Sequence, residues 1–390
     1  MKKLIFIISS LLVLSSCIKE TINAKIEEQS IMVYNKQYID NTSFVKNDEF
    51  YFLCQDTSKI YFSKLSTTGT YSEILNITDY LQFKLDTFSL VKMLHTQDDG
   101  IIVFAYFSDM LNYSMLKFNS NYQFEWQTND TSDLMTPGID FQEVIQYSNG
   151  NISLVYKKIV LPPENNDFKL KEKIYNGSTG SFIESSLTSF SNCELISIYK
   201  YNSGFYMFTT TKNIGHNLNN YPLDSIGFIY KDGQNITTLK TDISTSSKPS
   251  VIINNNLIYL AHTDAVQNLR ITCLGINEGI IWNKPILLAS DTLQFETEKV
   301  VVFTDEIYVF GWKYNTAKYQ YKFMYSAVSK QGELLNANYF NFNMPLYFID
   351  GIFKSDNNVV MLCEEFSYYN DNYNICLLKS DTFSIKQIPQ

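Results

Sequence analysis

Two pairs of adjacent carboxylates, Asp98-Asp99 and Glu364-Glu365, are the residues here best suited to acid–base work. Cleaving a glycan takes one carboxyl to give a proton and another to take one or to attack. Their settings favour a plainer role. Asp98-Asp99 precedes Gly100 in what reads as a hairpin turn, where Asp is favoured for backbone reasons. Glu364-Glu365 ends an apolar run, and carboxylates usually stay in water. His95, His216 and His262 are isolated; His95 and His262 adjoin apolar runs and read as packing residues. There is no C-x-x-C, and no histidine lies near a cysteine pair, so a zinc site is not indicated. With Cys17 set apart, Cys54, Cys193, Cys273, Cys363 and Cys376 are odd in number, so at least one thiol is free if the others pair. Cys363 and Cys376 fall on strands expected to be neighbours, either as two buried thiols or as a cross-strand disulfide. No G-x-S-x-G elbow, H-E-x-x-H, P-loop or D-x-D-x-D-G calcium loop occurs, and no cofactor is implied.

The elements that hold these residues follow a repeat. Residues 298–339 read as four short strands: Lys299–Phe303, Ile307–Trp312, Lys322–Val328 and Leu334–Tyr339. The same plan can be laid on the chain seven times. The second strand of each unit is the clearest marker. Aligned on Phe52, Val103, Ser153, Tyr206, Tyr259, Tyr308 and Val360, the units are spaced by 51, 50, 53, 53, 49 and 52 residues. Gly, Asn and Asp gather in the turns before it, as in Asp98-Asp99-Gly100, Ser148-Asn149-Gly150 and Asn254-Asn255-Asn256. Further turns follow the third strands, at Thr68-Gly69, Thr179-Gly180, Asp232-Gly233, Glu278-Gly279 and Gln331-Gly332.

Marker strands such as Ile101-Ile102-Val103-Phe104 are apolar at every position, so both faces must be covered. A lone four-stranded sheet cannot do that, whereas sheets packed face to face in a ring can. Helical periodicity is absent. The expected fold is all-β: a seven-bladed β-propeller of four-stranded antiparallel blades, one domain over residues 30–390. Closure is open. The last unit has a candidate fourth strand, Ser384–Ile388, yet Ile31–Tyr34 is spare and could add to the last blade or replace its outer strand.

The stretch Asp98–Tyr106, with Met115–Asn119 and Phe124–Gln127, resembles the repeats of secreted bacterial (Bacteroidetes-type) propeller lipoproteins. There a D-G-G turn, a V-A-G strand, an L-I-K-L-D strand and an N-G-N-x-x-W turn recur. Asp305–Trp312 with Ala327–Gly332 fits the same frame. The resemblance covers about residues 38–390; most units lack the second Gly and the Trp, and it implies the fold without a site. The S-x-D-x-G-x-T-W turn of sialidase-type propellers does not occur. Trp126 and Trp282 share a fourth-strand position and read as blade packing; Trp312 ends its strand near a loop.

Loops joining second to third strands are long and varied, and in a propeller they share one face with the links between blades. That face carries the candidate partner-binding residues Asp109, Glu164, Asp167, His216, Tyr221, Tyr314, Tyr319, Tyr368, Tyr369, Asp371 and Tyr373. Tyr with Asp and Asn is a composition of adaptable recognition, and loops on a rigid scaffold often carry function. The plainer alternative is that the loops drift and simply reflect the chain's 28 tyrosines.

The N-terminus reads as an address. Lys2-Lys3 precede the apolar run Leu4–Leu14, too short to span a bilayer as a mature helix. Leu14-Ser15-Ser16-Cys17 resembles a bacterial lipobox, which implies a signal peptide over residues 1–16 and lipidation of Cys17. Ile18, rather than Asp, follows and favours the outer membrane by analogy with sorting rules. Residues 17–29 read as a polar tether, and the lipid supplies the membrane contact. The net charge of −9, with basic residues scattered, sets nucleic acid aside. The expected function is a lipid-anchored binding or scaffold propeller for a protein or glycan. The alternative is a glycan hydrolase or lyase with carboxylates at the channel mouth.

Overall fold

The computed structural model describes residues 30–34, 37–56, 59–81, 88–107, 112–130, 139–159, 168–191, 193–201, 204–216, 222–232, 235–276, 278–289, 293–303, 305–315, 317, 320–340, 346–355, 358–367 and 372–381. They form four-stranded antiparallel sheets around an axis, a β-propeller. The innermost strands are Gln37–Lys46, Phe88–His95, Ile139–Gln146, Glu194–Tyr201, Ser250–Asn254, Leu293–Val302 and Leu346–Ser355. Each lies beside the next, and the last returns to the first, so the ring is closed. Blades are numbered below by that order.

The plan of seven self-contained repeats is corrected by the sheet order. Six blades, not seven, are each a run of four consecutive strands. The remaining sheet takes three strands from the C-terminal end and its outer strand, Ser30–Tyr34, from the N-terminal end. Ser30 lies opposite Lys379 and Tyr34 opposite Ile375. The N-terminal strand thus holds the place expected for Ser384–Ile388, which falls outside the described residues. The physical reason is closure: pairing the two chain ends in one sheet ties the ring shut. The only helical element among the described residues is the short 3-10 turn Ile77–Tyr80, and none of their helices is long and apolar enough to cross a membrane.

The marker strands show why they are apolar throughout. Ile101, Val103 and Ala105 pack into the cluster shared with blade 1, while Ile102 and Phe104 pack into the one shared with blade 3. Ile307 and Val309 face blade 5, and Tyr308 and Phe310 face the composite blade. Alternate side chains point to opposite faces of a strand, and here each face meets a neighbouring blade. Each fully buried Ile, Val or Phe contributes roughly 1.5–3 kcal/mol, so the ring interfaces dominate stability.

Turn residues sit as their chemistry requires. Asn255 and Asn256 take φ of 49° and 64°, and Asp99 takes 63°. Gly100 serves close approach instead: a Cβ there would lie 2.3 Å from the Phe118 carbonyl oxygen. Trp126 and Trp282 tie neighbouring blades. The Trp126 indole Nε1 donates to the Gly177 carbonyl at 3.1 Å, and its ring covers Gly180 in the turn of blade 3. Trp282 covers Gly332 in the matching turn of blade 6. Trp312 is half-buried with its ring edge on Phe323.

The innermost strands are longer than the sequence suggests. In blade 6 the strand begins at Leu293, not Lys299, and a bulge between Thr297 and Lys299 interrupts its pairing. Blades 3 and 4 carry bulges at Phe141/Glu143 and Leu195/Ser197.

Candidate functional site

A central cavity of about 760 Å³ runs along the axis. The innermost strands of the contiguous blades line it, and the bulges decide how. Bulges re-aim side chains, and Glu143, Ser197, Glu298 and Lys299, all at bulges, line the cavity. The blade 6 bulge is stitched to blade 5. The Thr297 hydroxyl donates to the Lys248 carbonyl at 2.8 Å, and the Val300 N–H donates to the Ser250 hydroxyl at 2.9 Å. Gly311 is required opposite, since a Cβ there would lie 2.0 Å from the Glu296 carbonyl oxygen. At the other end, the Gln97 N–H donates to Gln146 Oε1 at 2.7 Å, and Gln97 Nε2 donates to the Tyr147 carbonyl at 3.2 Å.

The lining carries Lys92, Lys200, Lys248 and Lys299 against Glu143 and Glu298. A cationic surplus in the bore of a chain with net charge −9 reverses the sign of the whole. Charges behind low-dielectric walls focus their field into a cleft. His95 also lines the cavity, stacked on Phe44 at 4.0 Å with Nε2 3.4 Å from Asp99 Oδ1. Burial holds its pKa below the ordinary value, against the pull of Asp99.

The Asp98-Asp99 pair is committed to ion pairs. Lys117 Nζ lies 2.6 Å from Asp98 and 3.1 Å from Glu125, and Lys46 Nζ lies 3.4 Å from Asp99. Burial works most strongly, to raise the Asp98 pKa, but the Lys117 ammonium and nearby hydrogen bonds together hold the carboxyl below its usual range. Glu364 and Glu365 stand opposite Ile375 and Asn374 in the composite sheet. Cys54, Cys193 and Cys273 are buried and not joined in disulfides, and burial pushes the Cys273 thiol up to about 11. Cys363 and Cys376 are register partners on adjacent strands. Among the described residues no cluster of His, Cys, Asp and Glu could hold a metal ion.

Asp109, Glu164, Asp167, Tyr221, Tyr319, Tyr368, Tyr369 and Asp371 lie outside the described residues, as does Cys17. His216 ends the strand Gly204–His216 opposite Pro222. Tyr314 is half-buried on the strand Glu306–Asn315, across from Gln294 and Tyr321. Tyr373 lies opposite Phe366 in the composite sheet. These three stand on three different blades. Sequence reasoning missed the channel set altogether, although a signal was present: Lys92 interrupts the otherwise apolar run Val91–Leu94.

No protein-family model matches the chain, and no curated protein matches it. Solved structures resemble it in fold. An uncharacterized protein, lmo1340, of Listeria monocytogenes EGD-e aligns over 85% of this chain and 91% of its own, with 11% identity and a TM-score of 0.46. Prolyl oligopeptidase B of Galerina marginata aligns over 88% of this chain with 8% identity and a TM-score of 0.52; the match spans 50% of the oligopeptidase. The polysaccharide lyase Uly1 aligns over 93% of this chain and 95% of its own, with 11% identity and a TM-score of 0.47. The oligopeptidase match, at 8% identity, speaks to the fold and to nothing finer.

Proposed function

We propose that the chain is a lipid-anchored binding propeller of the bacterial outer membrane, of the secreted Bacteroidetes type, holding a protein or glycan partner on its long-loop rim. The observation that carries this reading is the scaffold itself. Hydrophobic clusters join each blade to the next around the whole ring, so the strand ends that flank the rim are held at a set spacing. A frame already held in place lowers the conformational cost of binding. Commitment of Asp98 and Asp99 to lysine partners favours binding over hydrolysis at that turn. Anchoring rests on the lipobox-like Leu14–Cys17 and the tether that follows.

The test is capture from membranes. Wild type retains its partner; a variant with Tyr368, Tyr369 and Tyr373 changed to Ser loses it, while Cys17→Ala leaves the membrane fraction. A triple variant that keeps every partner refutes the rim, and a Cys17→Ala chain that stays membrane-bound refutes the anchor. A glycan hydrolase or lyase is the second reading, favoured by Glu143 and Glu298 both lining the channel. Glycan cleavage abolished by Glu143→Gln or Glu298→Gln would select it.

A further inference from the structure

We propose that the central channel, apart from the loop rim, is a binding site for an acidic oligosaccharide, gripped by Lys92, Lys200, Lys248 and Lys299. Its volume of about 760 Å³ lies in the range of small-ligand sites. The chain carries 31 basic against 40 acidic residues, yet the channel lining reverses that balance, with four lysines and two glutamates. Lysines recognise carboxylates or sulfates as point charges. The neutral lining separates a sugar acid from an acidic peptide: the Ser197 hydroxyl, and the acceptor lone pairs that Gln146 and Thr297 keep beyond their bonds to Gln97 and Lys248, suit ring hydroxyls. The cage is built rather than incidental. Bulges set Glu143, Ser197, Glu298 and Lys299 in place, and the Thr297 and Ser250 hydrogen bonds brace the blade 6 bulge against blade 5.

The site is tested by calorimetry on the full chain in detergent, with tetragalacturonate, its neutral methyl ester and tetraglutamate as probes. The acid sugar binds; the ester and the peptide bind at least tenfold more weakly, and affinity for the acid falls as salt rises. Lys92→Gln with Lys299→Gln weakens binding at least tenfold. Glu143→Gln with Glu298→Gln tightens it several-fold, a change that loss of folding cannot mimic. The Tyr368, Tyr369 and Tyr373 to Ser variant binds the acid sugar as wild type does, which separates this site from the rim. Equal affinity for acid and ester, tetraglutamate binding as tightly, no binding of the acid sugar, or charge variants without effect would each overturn the proposal.

Discussion

Lys231→Met should destabilise the ring by about 3–5 kcal/mol, the cost of leaving a buried carboxylate without its partner. Lys231 on blade 4 and Glu172 on blade 3 are each 2% exposed, and Lys231 Nζ lies 2.7 Å from Glu172 Oε2. Glu172 also accepts from the hydroxyls of Ser153 at 2.9 Å, Ser186 at 3.4 Å and Tyr147. Methionine keeps much of the lysine's apolar stem and removes only the charge. Packing loss is thereby kept small, and the measured cost reports the stranded Glu172. Glu172→Gln should cost a similar amount, since it strands the ammonium instead. The double variant should cost clearly less than the sum, because neither buried charge then remains. Urea unfolding of the four proteins, followed by tryptophan fluorescence, gives the coupling as a double-mutant cycle. A Lys231→Met cost below about 1 kcal/mol, or strict additivity, would refute the view that this pair holds blades 3 and 4 in register.

Two further outcomes follow from the same interfaces. His262 is 1% exposed, and burial lowers its pKa from 6.5 to about 4, so the folded protein binds fewer protons than the unfolded chain between those values. Stability attributable to His262 is therefore full above about pH 6.5 and lost as pH falls towards 4, by roughly 3 kcal/mol in all. Unfolding free energies of wild type and His262→Gln should converge over that window, and parallel curves would contradict it. Gly180→Ala should cost more than about 1 kcal/mol by thermal unfolding, because φ there is +70° and the new Cβ would lie 2.6 Å from the Trp126 ring; a neutral result would show that the ring does not hold that turn.

What the sequence made legible was whatever repeats locally. The spacing of the marker strands, their apolar character on both faces and the Gly and Asn turns come from short-range rules applied unit after unit, and the matching seats of Trp126 and Trp282 could be read from their equivalent positions. The bulges could not. They are departures from regular pairing that neither a turn residue nor the apolar pattern announces. Lys299 therefore read as the start of a strand rather than as a side chain in a channel. Only the ring shows that Lys92, Glu143 and Lys299 share one cavity.

Closure was illegible for a related reason. Ser30–Tyr34 pairs with residues 375–379, across nearly the full chain, and no local pattern specifies a partner so distant. The arrangement has a mechanical consequence. The strand that completes the composite sheet begins at Ser30, so in the proposed lipid-anchored state force at Cys17 would act first on that outer strand. An antiparallel strand shares such a load across its ladder when pulled along its length. It yields one pair at a time when peeled from an end. In the proposed anchored state, the direction of pull on Ser30 would therefore set whether the ring resists it.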